Sequence, residues 1–184
     1  MQLPDFRPVS HSRTTITELM IPAYANFGGK IHGGILLSLM DKVAYACAAK
    51  HAGNYCVTVT VDGVEFKQPV EVGELVSLMA SVNYVGTTSL MVGIKVIAEN
   101  VKTGIMKHTN TSYFTMVAKG EDNKPAKVPG LILENREDAR RFLEARIRRE
   151  IKTENEQYFL QQKNKYPVET ALTILANERC KLAF

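Results

Sequence analysis

Several functional classes are excluded by what this chain lacks. It holds only three cysteines, Cys47, Cys56 and Cys180. That odd and sparse set argues against a disulfide framework. No CxxC or HExxH motif occurs, so neither a structural zinc site nor a zincin is expected. His11, His51 and His108 show no mutual spacing that suggests a metal site, and no cofactor is expected. Ser38 has no GxSxG context, which disfavours a serine hydrolase. No apolar run approaches the roughly 20 residues of a membrane span. The first twenty residues carry Asp5, Arg7, Arg13 and Glu18 with no apolar core, unlike a signal peptide. A dominant charge is missing too: 23 Lys+Arg against 19 Asp+Glu leaves +4. This is too mild to indicate nucleic acid, though it would not repel a small anion. The expectation is a soluble cytoplasmic domain, long enough at 184 residues to bury a core.

The charge is unevenly spread. Residues 1–130 hold 12 basic and 10 acidic side chains, whereas residues 131–184 hold 11 and 9. Seven of nine arginines fall in the second stretch. Breakers at Gly120–Pro125 and Pro129-Gly130 separate the two. The organisation read from this is a domain over 8–130 and a charged helical extension over 131–184.

Residues 14–20 suggest a first strand. Pro22 to His32 is a glycine-containing loop. From Gly33 to about Lys50, leucine, methionine and alanine dominate and lie nearly all round a helix, which should therefore be buried on most sides. Gly53-Asn54 ends it. Four alternating runs follow. Val57, Val59 and Val61 shift phase to Val64 and Phe66 through an expected bulge at Asp62-Gly63. Then come Val76–Tyr84, Leu90–Ala98 and a long strand over 105–118. Short turns between them indicate an antiparallel meander. The economical packing is α+β: one curved antiparallel sheet wrapped around one central helix. Asn135 reads as the N-cap of a further amphipathic helix. Its apolar stripe is Ala139, Phe142, Leu143, Ile147 and Ile151, and arginines crowd its other sides. That arginine surface has three readings: a solvated face laced with i,i+4 pairs, an oligomer contact, or a clamp for phosphates. No element is assigned to residues 163–184.

One residue is out of place. Asp41 is the only acid between Glu18 and Asp62, and it sits mid-way along the most apolar helix. It is either a carboxylate satisfied by Lys42, a serine or a backbone amide, or one exposed at a helix edge, or a general base tuned by burial. At the start of the same helix, His32-Gly33-Gly34 offers backbone N–H groups where negative charge could develop. The glycines alone equally fit a tight loop-to-helix junction. Gly33 and Asp41 are eight residues apart, about 12 Å along a helix. One small reacting group cannot touch both within one chain. A shared reaction would need two helices running antiparallel across a two-fold axis.

The run Asn26-Phe27-Gly28-Gly29-Lys30-Ile31-His32-Gly33-Gly34-Ile35-Leu36-Leu37-Ser38-Leu39-Met40-Asp41 resembles the loop and central helix of hotdog-fold acyl-CoA thioesterases, in the branch of the YciA and brain acyl-CoA hydrolase types. Three further stretches resemble that family in order: Val61–Val70 with Val72-Gly73-Glu74, the turn Gly86-Thr87-Thr88-Ser89, and Ser112–Ala118 with Asn123-Lys124-Pro125 and Val128-Pro129. The resemblance covers roughly residues 8–160. It implies a single hotdog domain that hydrolyses acyl-CoA without a metal. Asp41 falls on the family's catalytic aspartate and Asn26 on the asparagine that works with it across the dimer. Gly33 and Gly34 would supply the oxyanion donors, and His32 would hydrogen-bond the thioester or hold the loop. Candidates for binding CoA are Thr58, Lys67, Gly86, Thr87, Thr88 and Ser89, although Gly86–Ser89 has threonine where many relatives carry arginine. The implied assembly is a dimer, gathered as a trimer of dimers. Cys47 and Cys56 are expected in the core. Two other readings remain: a non-catalytic acyl-CoA sensor, which would not need Asp41, and a hotdog dehydratase, whose Asp/His pattern is not evident.

Overall fold

The structure, a computed structural model, describes residues 5–183 apart from 164 and 166. The chain divides into two compact units, Met1–Ala145 and Arg146–Phe184. In order, the elements are β1 (Phe6–Pro8), α1 (Val9–Ser12), β2 (Thr14–Leu19), a 3-10 turn (Pro22–Tyr24), α2 (Gly33–Ala52), β3 (Tyr55–Asp62), β4 (Leu75–Val85), β5 (Ser89–Asn100), β6 (Ile105–Lys119), β7 (Gly130–Ile132), α3 (Arg136–Lys163) and α4 (Val168–Leu175). No helix among the described residues is long and apolar enough to cross a membrane.

Five strands form one antiparallel sheet in the order β2-β4-β5-β6-β3. Alternation sends Val76, Leu78, Ala80 and Val82 of β4 inward, with Leu90, Val92, Ile94 and Val96 of β5 and Phe114 and Met116 of β6. Against them α2 buries Leu36, Leu39, Met40, Val43, Ala44, Cys47 and Ala48. Each large apolar side chain so buried contributes roughly 1.5–3 kcal/mol. This is the α+β wrap expected from the sequence.

Two details of the strand reading are corrected. The hairpins β4-β5 and β5-β6 follow the meander, but β3 pairs with β6 and not with β4. Residues 63–74 cross instead from the edge strand β3 to β4, the neighbour of the opposite edge strand β2. They are held by the Ile31 N–H on the Val70 carbonyl (2.9 Å) and the Lys67 N–H on the Thr109 carbonyl (2.9 Å). Alternation identifies a strand but carries no information on its neighbour. The bulge expected at Asp62-Gly63 lies earlier, between Thr58 and Thr60. The strand ends at Asp62. Beyond it, Phe66 leaves the sheet, and a Cβ on Gly33 would stand 3.1 Å from its ring. Glycine at that position lets the aromatic ring lie on the first turn of α2.

The helix is also less enclosed than its composition implies. Leu37, Asp41 and Tyr45, one helical turn apart, share an exposed face. Composition sets the apolar content of a helix, whereas the number of neighbours is a tertiary matter.

An N-terminal strap not anticipated from the sequence secures the other end of α2. β1 pairs in parallel with β7, and the Arg7 Nη1 donates to the Lys50 and His51 carbonyls, 2.7 Å each. His51 itself is fully buried, its Nε2 3.0 Å from the Pro129 carbonyl and its Nδ1 without a partner. Burial, with Arg7 and His11 nearby, holds its pKa below the ordinary value of 6.5. The unfolded chain therefore binds a proton there before the folded one does, and stability falls as pH drops below about 6.5. Thermal melts at about pH 7.5 and about 5.5 are expected to show a loss of Tm that His51→Gln reduces. An unchanged difference in that variant excludes His51 as the cause.

At the start of α3, Asn135 acts as the N-cap expected, its Oδ1 accepting from the Asp138 N–H at 2.9 Å. Asp138 is buried and pairs with Arg13 at 2.7 Å. Phe142 lies against Tyr84, with ring centroids 5.1 Å apart. The rest of the expected stripe, Leu143, Ile147 and Ile151, is exposed. Glu137 accepts from Arg140 and Arg141, Glu144 from Arg140, and Glu150 from Arg146. The reading of a solvated, paired face therefore describes Arg140, Arg141 and Arg146. Within 163–184, where no element was assigned from the sequence, lies α4.

Candidate active site

The loop before α2 is closed by its own polar groups. The Asn26 Oδ1 accepts from the Gly28 N–H (2.9 Å) and the Lys30 N–H (3.2 Å), while the Asn26 N–H donates to the Lys30 carbonyl (2.7 Å). This is the local turn that asparagine favours. It occupies the amide oxygen and leaves the Nδ2 hydrogens as the donors Asn26 can present. His32 caps the helix, its Nδ1 accepting from the Gly34 N–H at 2.9 Å. The loop-holding alternative for His32 is therefore the one its geometry fits. The Gly34 N–H is engaged within the chain, whereas Gly33 presents its N–H at the first turn, where the helix leaves such groups unpaired.

Asp41 lies on the exposed face of α2, eight residues or about 12 Å beyond Gly33. The expectation that burial surrounds this carboxylate does not hold in the single chain. Its Oδ1 instead accepts a short hydrogen bond, 2.6 Å, from the Thr58 hydroxyl of β3. The same hydroxyl is 3.1 Å from the Met116 sulfur. Asp41 and Thr58 line an open cavity of about 350 Å³ with Tyr45, Tyr55 and Met116. The Tyr45 and Tyr55 rings wall it, their centroids 5.9 Å apart. A carboxylate oriented by a hydroxyl at an aromatic-walled opening is placed to take a proton from water.

The resemblance counts Thr58 among the candidates for binding CoA, and the structure puts its hydroxyl on Asp41. Lys67 is exposed on the crossing segment. Gly86, Thr87, Thr88 and Ser89 form the β4-β5 turn: the Gly86 N–H bonds the Ser89 carbonyl, and the Thr88 and Thr87 carbonyls accept from Ala118 and Val128. Among the described residues no hydrogen bond or ion pair joins Lys67 to that turn. Tyr45, Tyr55 and Met116 were not singled out beforehand. For Tyr45 a signal existed, since it stands four residues after Asp41 and thus on the same helix face. Cys47 and Cys56 are buried as expected, and burial pushes their thiols up to about 12 and about 11. Neither supplies thiolate near neutral pH.

The sequence pattern of the Thioesterase superfamily matches residues 28–105. Protein VdlD of Helicobacter pylori is 45% identical over 151 residues, 81% of this chain and 86% of that protein. A solved apo-hexameric acyl-CoA thioesterase is 35% identical with a TM-score of 0.80, over 83% of this chain and 98% of its own. An acyl-CoA hydrolase from Staphylococcus aureus, solved as an aspartate-to-alanine variant, is 26% identical with a TM-score of 0.78, over 89% and 100%. The same hydrolase was also solved as threonine-to-alanine and asparagine-to-alanine variants. Its asparagine, aspartate and threonine are separated by 15 and 17 residues, the separations of Asn26, Asp41 and Thr58 here. With the fold, the site and these likenesses together, the chain belongs to the thioesterase superfamily, among its hotdog-fold acyl-CoA hydrolases.

Proposed function

We propose that the protein hydrolyses acyl-CoA thioesters to a free acid and CoA, with Asp41 as general base. The observation that carries this reading is the Thr58–Asp41 hydrogen bond on the open face of α2. The thioester carbonyl sits against the Gly33 N–H and the Asn26 amide of one subunit. Asp41 of the facing subunit takes a proton from water as the oxygen attacks the carbonyl carbon. Collapse breaks the C–S bond, CoA leaves as the thiolate, and the proton passes from Asp41 to solvent. A thiolate is a good leaving group, so a base and two or three hydrogen-bond donors suffice. Direct attack by Asp41 through an anhydride is the other route.

Two subunits are needed because about 12 Å separates the two halves within one chain. The exposed face of α2 and the exposed apolar residues Tyr55, Val59 and Val61 of the edge strand β3 suit a two-fold interface. The further assembly is a trimer of dimers, in keeping with the hexameric structural relative. The CoA portion is held by the polar groups of Lys67 and the Gly86–Ser89 turn. Work in the cytoplasm without a resident cofactor fits the sparse, free thiols. A sensor built on this fold would have no use for an oriented base at this position.

Release of free thiol from acyl-CoAs of graded chain length, followed with a thiol-reactive dye, tests the reading. Turnover with at least one chain length is expected, and binding without turnover across the series would establish the sensor instead. Thr58→Val removes the hydroxyl that orients Asp41. It is expected to lower kcat about tenfold with little change in KM, read from the same assay. A larger effect on KM than on kcat returns Thr58 to the CoA-binding role.

A further inference from the structure

A second cavity, about 760 Å³, lies between the first turns of α3 and the outward-facing residues of β2, β4, β5 and β6. By the alternation of the strands this is the face of the sheet opposite α2. Its volume is in the range of small-molecule sites. Four cationic side chains, Arg13, Lys95, Arg140 and Arg141, face two carboxylates, Glu137 and Glu144. The carboxylates are already bonded to Arg140 and Arg141, and Arg13 is bonded to Asp138. Lys95 has no ion pair or hydrogen bond among the described residues.

The floor carries an unusual donor. Asn83 is 7% exposed and Ser81 6% exposed. The Ser81 hydroxyl donates to the Asn83 Oδ1 at 2.9 Å, and the Asn83 Nδ2 has no partner among the described residues. That nitrogen lies over Gly93, where a Cβ would come within 2.2 Å of it. Gly93 pairs with Ser81 on one side and Tyr113 on the other, so the missing side chain opens the notch the amide occupies. Among the described residues only the His51 Nδ1 is a buried side-chain polar atom without a partner, so the Asn83 Nδ2 opens onto the cavity, where it can donate to an acceptor oxygen. What it and the Lys95 ammonium share is the need for acceptor oxygens.

We infer that this cavity is a binding site for a phosphate-bearing small molecule, separate from the thioester site. The Asn83 amide and Lys95 contact its oxygens, and the guanidinium groups of Arg13 and Arg141 border it. A phosphate is favoured over a single carboxylate because it offers three or more acceptor oxygens to donors that stand apart on the wall, the Asn83 amide and the Lys95 ammonium. The inference does not depend on the hydrolase reading.

Calorimetric titration of the full-length protein with inorganic pyrophosphate at low ionic strength tests it. The protein is expected to bind, Lys95→Glu to weaken binding at least tenfold while keeping kcat, and Asp41→Asn to leave binding unchanged. Asn83→Leu, which removes the donor and fills the notch, is expected to weaken it as well. Lys95 is exposed, so its replacement keeps the test valid if Asn83→Leu does not fold. The acyl-CoA KM of Lys95→Glu separates the two sources of phosphate: a raised KM identifies CoA's own phosphates, and an unchanged one a free phosphate ester. No binding by the parent protein, undiminished binding by Lys95→Glu, or loss of binding in Asp41→Asn overturns the site.

Discussion

Asp41→Asn is expected to lower kcat for acyl-CoA hydrolysis by about 10²- to 10⁴-fold, the usual worth of a positioned general base. That is roughly 3–5 kcal/mol of activation free energy. The substitution is nearly isosteric, and the asparagine oxygen can still accept from the Thr58 hydroxyl, which donates at 2.6 Å to the carboxylate. What is lost is the ability to take a proton from water. CoA affinity should therefore remain close to that of the parent, since neither the turn Gly86–Ser89 nor Lys67 is touched. Steady-state kinetics together with product binding by calorimetry make the comparison. Full activity in the variant removes Asp41 from the mechanism.

Two inactive chains are expected to restore one another. Asn26→Ala removes the amide from one half of the site, and Asp41→Asn removes the base from the other. Co-expressed in equal amounts, half of the dimers are mixed, and each mixed dimer contains one intact site out of two. Recovery of about a quarter of the parent activity follows from that two-fold symmetry. The geometric ground is that a reacting carbonyl and its water must lie about 3–3.5 Å apart. The oxyanion donor Gly33 and Asp41 are separated by about 12 Å along one α2 helix, and Asn26 lies in the loop before that helix. Asn26 is preferred to Gly34 for this experiment because the Gly34 N–H is bonded to His32, so altering it also disturbs the helix cap. Activity no higher than the sum of the two variants expressed alone would place each site within one chain.

Much of the fold is legible beforehand because burial leaves a period in the residues. The twofold alternation of Val76–Tyr84 and Leu90–Ala98 marks β4 and β5, and the alanine- and leucine-rich run from Gly33 marks α2. The partner of β3 is a different matter. Its residues Val57, Val59 and Val61 alternate in the same way beside β6 as they would beside β4. The crossing of residues 63–74 depends on long-range bonds such as Ile31 to Val70, which have no local signature. The same holds for the strap, where Arg7 reaches the Lys50 carbonyl across 43 positions of chain.

The site divides along the same line. Asp41 is conspicuous in the sequence because a lone acid in an apolar helix demands a reason, and the resemblance to thioesterases puts Asn26 beside it. Thr58 is one of several strand threonines until the fold brings β3 against α2. Only then does its hydroxyl meet the Asp41 carboxylate. His32 reads equally well as a substrate contact or a cap, and its bond to the Gly34 N–H selects the cap.

The lack of metal motifs and the mild net charge narrowed the chemistry from composition alone, and periodicity determined the central helix and three long strands. These follow from local forces, since propensity and the side on which apolar groups fall act within a few residues. Tertiary structure alone decided that β3 closes the sheet against β6, that Thr58 meets Asp41, and that the face of α2 carrying Asp41 stays open. It also decided that Asn83, Lys95 and the start of α3 meet around one cavity. Each of these is a contact between segments far apart in the chain, whose free energy depends on shape and proximity after collapse and leaves no period in the residues that make it.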